Sequence, residues 1–225
     1  MTTCLTFLSA TAEETTGIFG DPFSLASGPL RTADSPHPGF PPYSLAVRGP
    51  SARCARTADA LGLETVPEPA LRNFDYGRWY GRTVADVVAE DPYGYSAWLT
   101  DPDAAPHGGE SVRDLCERTA RWLDALPSDT DRALAVVEPS VIRGALVHAF
   151  SVPARAFRHL DLPCPPAVVS LILRGDGWHV RYGHGSASEV HRTAPDEPVS
   201  SARARPADRR TAGREYTGGT YGPVA

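Results

Sequence analysis

Leu134-Ala-Val-Val-Glu-Pro-Ser-Val-Ile-Arg143 is the stretch on which the fold turns. Leu134 to Val137 is a continuous apolar run, too short for a helix, and suits a strand buried on both faces. Glu138-Pro139-Ser140 interrupts it, and an amphipathic pattern from Val141 to Phe150 follows as a helix. A buried strand that runs straight into a helix is a unit of a largely parallel sheet. Upstream, Cys4–Leu8 and Tyr43–Val47 read as further strands, separated by a Gly-, Pro- and Ser-rich loop over 15–42. Ser51 caps a helix carrying Ala52, Ala55, Ala58 and Leu61, with Gly62 placed to stop it. Residues 67–82 form an irregular connection. Thr83 caps a helix with Val84, Val87 and Val88 on one face. Ser111, with Asp114 completing a capping box, opens the clearest helix, whose stripe includes Leu115, Thr119, Trp122 and Leu126; Pro127 closes it. Val168–Leu173 and Trp178–Tyr182, joined by Gly175-Asp-Gly, form a terminal hairpin. The expected architecture is a three-layer α/β/α domain over residues 1–185 around a mostly parallel central sheet. The Arg-, Pro- and Gly-rich residues 186–225 read as a poorly packed tail.

The chain has 225 residues, 41% of them hydrophobic and 22% charged, which fits one α/β domain with a proper core. A net charge of −5 gives no basic footprint, so nucleic acid is not an expected partner. No apolar run approaches the roughly 18 residues of a membrane span, and the opening MTTCLTFLSA lacks the basic start of a signal peptide. Neither a membrane nor a secreted setting is expected. The cysteines Cys4, Cys54, Cys116 and Cys164 are scattered without a CxxC pair, so the expectation is a cytoplasmic protein with reduced thiols. All 22 basic residues are arginine, in a composition that points to high-GC coding DNA. The absence of lysine excludes Schiff-base chemistry, the P-loop lysine and the kinase strand lysine. His179, His184 and His191 follow no metal-ligand spacing, and neither a metal nor a cofactor is expected.

In an open α/β protein the ligand sits at the carboxyl edge of the sheet. Two strand ends should meet there: Ser9-Ala10-Thr11 after the first strand and Glu138-Pro139-Ser140 after the Leu134–Val137 strand. The helix that follows Ser140 offers a positive dipole end, although Pro139 contributes no N–H to it. Ser140 suits either a helix cap or a ligand contact.

Four motifs occur in order: Arg53-Cys-Ala-Arg-Thr-Ala-Asp-Ala-Leu, Leu71-Arg-Asn-Phe-Asp-Tyr-Gly-Arg-Trp-Tyr-Gly, Pro106-His-Gly-Gly-Glu-Ser and Val136-Val-Glu-Pro-Ser-Val-Ile-Arg. Together they resemble the histidine phosphatase superfamily, the phosphoglycerate mutase-like group, over about residues 4 to 183. The resemblance implies a nucleophilic histidine that forms a phosphohistidine, two arginines and a second histidine around the phosphoryl group, and a carboxylic acid that protonates the leaving oxygen. Placed on that pattern, the nucleophile falls at Ala10, its neighbouring arginine at Ser9, the acid at Asn73 and the second histidine at Pro139. Of the phosphate-pocket positions only Arg53 keeps its residue type. No histidine occurs before His37 or between His107 and His148, so a one-residue shift restores none of them.

The candidates for proton transfer are therefore Glu138, at the strand end, His107, on a loop that the family places near the pocket rim, and Asp75, two positions from Asn73. Glu138 also suits a structural ion pair with Arg53, Asp75 a local turn. Ligand contacts are expected from Arg53, Ser140, Ser9, Thr11 and Glu110, the last also suited to the dipole of the helix that Ser111 caps. Arg143 reads as a structural salt-bridge partner. The expected partner is a small anionic or polar ligand; the sequence assigns no oligomeric state. The functional expectation is a family member that has lost phosphohistidine chemistry and binds a ligand or partner without turnover. Its alternative is a repurposed isomerase, cyclase or hydrolase of specialised metabolism, using Glu138, His107 or Asp75 with Arg53. A phosphatase with a substitute nucleophile at Ser9 or Thr11 stands third, because neither has an evident base beside it.

Overall fold

In the computed structural model, which describes residues 2–10, 17–20, 43–162, 168–175 and 177–183, strands β1 (Thr3–Ser9), β2 (Leu45–Arg48), β3 (Val66–Pro67), β4 (Arg132–Val137), β5 (Val168–Arg174) and β6 (Gly177–Gly183) make one sheet. Its order is β3-β2-β4-β1-β5-β6. The first four positions in that order run parallel, and β5 then reverses against β1 and pairs with β6 as the expected hairpin. All of these residues fall within the unit Met1–Thr193. The loop expected over 15–42 is described only at 17–20. Thr11, Cys164, His184, His191 and the 186–225 tail lie outside the described residues.

Strand alternation divides the core into two layers. Leu5, Phe7, Ala133, Ala135, Val137, Val169 and Leu171 pack beneath α4 (Val112–Asp124) and α5 (Pro139–Ala149). Leu8, Leu134, Val136 and Val168 turn the other way and meet Cys54 and Ala58 of α1 (Ala52–Ala60). Helices on both faces explain why the strands read as apolar runs. α1 ends as its sequence predicts: Gly62 sits at φ +63°, and the Leu63 N–H reaches back to the Ala58 carbonyl at 2.9 Å. α4 carries its capping box, the Ser111 and Asp114 side chains each bonding the other's main-chain N–H.

Between β3 and α4 the chain leaves the sheet. Two short helices, α2 (Val84–Glu90) and α3 (Pro92–Thr100), rest on a separate core of Phe19, Trp79, Val87 and Trp98. No helix was expected over 92–100. One change of expectation bears on the site: Ser140 does not cap α5. Pro139 takes the first helical position, which makes Glu138 the cap residue and carries Ser140 inside the first turn. Among the described residues no helix is long and apolar enough to cross a membrane.

Candidate active site

Parallel pairing brings Ser9 opposite Val137 and Arg48 opposite Val136, so β1, β2 and β4 end side by side. Glu138 stands at that edge, 2% exposed. Its Oε1 accepts a hydrogen bond from Ser51 Oγ at 3.0 Å, and its Oε2 lies 3.5 Å from a terminal nitrogen of Arg53. Ser51 and Arg53 belong to the first turn of α1, whereas Glu138 opens α5 on the opposite side of the sheet. The three therefore converge from both helical layers at the strand ends. The expected Glu138–Arg53 pairing is present, and Arg53 keeps part of its side chain accessible, at 15% exposure. Ser51 was expected only as a cap. It does cap α1, accepting the Cys54 N–H at 3.1 Å, while its own proton points to the carboxylate.

Asn73 and Ser140 meet on the neighbouring segment. Asn73 Oδ1 accepts from the Phe74 N–H at 2.8 Å and from Ser140 Oγ at 2.7 Å. With its oxygen occupied twice, Asn73 presents its amide N–H groups as donors. Ser9 and Ala10 lie at the end of β1, 1% and 0% exposed, and Ser9 Oγ donates to the Ala10 carbonyl at 3.2 Å. A hydroxyl so enclosed is poorly placed to meet a substrate. Next to these groups, burial and then Glu138 push the Cys54 thiol up to about 12, which makes it packing material.

The remaining expected residues go elsewhere. His107 is not on a rim: it is 2% exposed, its Nδ1 accepts the Gly109 N–H at 3.0 Å, and its ring stands edge-on to Trp79 at 4.9 Å. Burial lowers its pKa first; Asp75 opposes that shift and Arg78 adds to it. Asp75 is exposed and makes a local turn, its Oδ1 accepting from the Gly77 N–H at 2.9 Å. Glu110 is locked by Arg118, which donates to both carboxylate oxygens at 2.8 Å, with Arg72 adding a bond at 3.2 Å. Arg143 finds no carboxylate among the described residues; its Nε donates to the Leu160 carbonyl at 2.9 Å. Among the described residues, no group of three or more His, Cys, Asp and Glu side chains is arranged to hold a metal.

The histidine phosphatase superfamily (branch 1) matches residues 41–183. This chain belongs to that family. Its relatives include the glucosyl-3-phosphoglycerate phosphatase of Mycolicibacterium vanbaalenii, 31% identical over 170 residues, which are 72% of this chain and 70% of that protein. A bifunctional protein of Mycobacterium tuberculosis is 38% identical over 69 residues; these are 31% of this chain and only 19% of that protein's length. Among solved structures, the α-ribazole phosphatase of Shigella flexneri superposes with a TM-score of 0.63 at 19% identity, over 80% of this chain and 95% of that one. These relatives correct the functional expectation. The ones that span most of the domain carry phosphatase names, and nothing positive in the comparisons supports binding without turnover.

Proposed function

We propose that the protein is a phosphomonoester hydrolase that uses a serine in place of the family's histidine nucleophile, with Ser51 as phosphoryl acceptor and Glu138 as its base. The observation that carries this reading is the 3.0 Å hydrogen bond from Ser51 Oγ to a buried carboxylate, with Arg53 beside it. A hydroxyl is a weak nucleophile until a positioned base takes its proton, and a base within hydrogen-bond reach is what such a pair requires. Family membership and the phosphatase names of the relatives supply the substrate class.

Ser51 Oγ attacks phosphorus and its proton passes to Glu138. The ester P–O bond breaks, and the leaving alkoxide takes that proton from Glu138. Water then attacks the phosphoserine and gives a proton to Glu138. Ser51 departs, regains a proton from Glu138, and inorganic phosphate is released. Arg53 and the positive end of α1 offset the charge on the phosphoryl oxygens, and the Asn73 amide donates a neutral hydrogen bond where the family resemblance places an acid. The Arg53–Glu138 ion pair at 3.5 Å sets the guanidinium on the same carboxylate that Ser51 faces. The unpaired thiols of Cys4, Cys54 and Cys116 support a cytoplasmic setting.

Hydrolysis of p-nitrophenyl phosphate tests this reading. Ser51→Ala and Glu138→Gln should each lower kcat by about 100-fold or more, and mass spectrometry of quenched wild-type reactions should find phosphate on Ser51. Loss of the Ser51 cap costs about 1 kcal/mol, so the variants are compared at temperatures well below their melting points. Wild-type rates in either variant, or no turnover by the wild type, would overturn the proposal.

A further inference from the structure

Two guanidiniums near the site, those of Arg143 and Arg158, meet no carboxylate among the described residues. Each makes one hydrogen bond there, to a main-chain carbonyl: Arg143 Nε to Leu160 at 2.9 Å, and an Arg158 terminal nitrogen to Trp98 at 2.6 Å. Arg158 also lies over the Trp98 ring, its guanidinium carbon 4.1 Å from the centroid. An arginine has five N–H donors, so both heads keep most of their donor capacity while half-buried. Leu160, which anchors Arg143, is two residues from Arg158. The two cations feel each other: burial lowers the Arg158 pKa first, with Tyr76 and Tyr95 opposing and Arg143 adding to the fall. Holding two like charges half-buried without a counter-ion is unfavourable, and a bound anion removes that cost.

Their place relative to the reacting centre follows from α5 and Tyr76. Arg143 lies one helical turn beyond Ser140, whose hydroxyl is bonded to Asn73. Burial first, then Glu138, pushes the Tyr76 phenol up to about 12, with Arg158 and Arg143 opposing. Tyr76 is thus within electrostatic reach of Glu138 and of both guanidiniums, and its ring lies 6.2 Å from that of Trp98.

We propose that Arg143 and Arg158 form a second anion subsite beside the Ser51–Glu138 centre, so that the substrate is a phosphomonoester bearing another anionic group, carboxylate or phosphoryl, on the alcohol it releases. This rests on the phosphatase reading above. The fork of N–H groups on each arginine suits either oxyanion, and the Trp98 ring holds the head of Arg158 in place.

Three esters test it: 2-phosphoglycolate, ethylene glycol bisphosphate and 2-hydroxyethyl phosphate, which differ at the far end in carboxylate, phosphoryl and neutral hydroxyl. The wild type should favour at least one of the first two over the third by about ten- to hundred-fold in kcat/KM, mostly through KM. Arg143→Gln and Arg158→Gln should bring that ratio toward one, Arg158→Lys should keep part of it, and the remote surface change Arg121→Gln should keep all of it. A wild-type ratio near one, or a ratio unmoved by both Gln variants, overturns the subsite. Calorimetric titration of the same esters separates the two proposals. If no ester is turned over, the phosphatase reading falls. Tighter binding of an ester with two anionic groups, lost in Arg158→Gln, then still supports the subsite, and equal binding of all three removes it.

Discussion

His107 shows how one side chain's hydrogen bond sets its role. Because Nδ1 accepts the Gly109 N–H, the ring proton sits on Nε2, a buried atom with no partner among the described residues. Protonating Nδ1 would break the Gly109 bond and place a charge among Tyr76, Trp79 and Trp98. Burial accordingly lowers the pKa below the ordinary 6.5. The unfolded chain takes up this proton first as pH falls, so the stabilising contribution is complete above about 6.5 and is lost progressively below it. Thermal midpoints measured from pH 7.5 to 5.5 should fall more steeply for the wild type than for His107→Gln. Equal slopes would assign the acid sensitivity to other groups. Glu138 and His107, both offered by the sequence as proton carriers, thus diverge: one faces a hydroxyl and an arginine, the other is enclosed by aromatic rings.

At the scale of elements, two close approaches hold the frame of the site. α4 and α5 cross where Gly144 faces Leu115 and Thr119; a β-carbon at Gly144 would come within 2.9 Å of Leu115 Cδ2 and 3.2 Å of Thr119 Oγ1. Gly144→Ala should therefore destabilise by about 1–3 kcal/mol despite alanine's better helix propensity, read as a drop in the denaturant midpoint. The second approach joins the single helical turn over residues 69–71 to α4. Arg118, 8% exposed, bridges the Glu110 carboxylate and the Ala70 carbonyl. Arg118→Leu leaves Glu110 buried with only the half-exposed Arg72 in support, and a loss of about 3–5 kcal/mol is expected in chemical denaturation. Stability unchanged by Arg118→Leu would mean that water replaces the guanidinium there.

For the molecule as a whole, the sheet and its main helices were legible because local and tertiary preferences agree. The apolar run before Glu138 is both a good strand and a strand buried on two sides, and Ser111, Asp114, Gly62 and Pro127 punctuate helices by their own chemistry. α3 was not legible: Pro92-Tyr-Gly-Tyr-Ser-Ala-Trp-Leu-Thr has no apolar stripe, and Trp98 is its one buried residue. Its helix depends on the Asp91 cap, which accepts the Gly94 N–H at 2.8 Å, and on Phe19 and Trp79 arriving from elsewhere. At the site, the pairing of Arg53 with Glu138 could be anticipated from a strand end aimed at an arginine-bearing helix. The role of Ser51 could not, since its partner lies 87 residues along the chain, and a capping serine looks the same whatever faces it.

Ser51 reaches the site from the helix on one side of the sheet and Glu138 from the helix on the other. Their 3.0 Å separation is therefore a ruler laid across the two halves of the core. Any slippage of one half against the other lengthens it long before strands separate. Heating should on this basis silence turnover several degrees before the far-ultraviolet signal changes. Repacking the interior with larger or smaller side chains should be scored by rate, since a sequence can keep its melting temperature and still lose alignment.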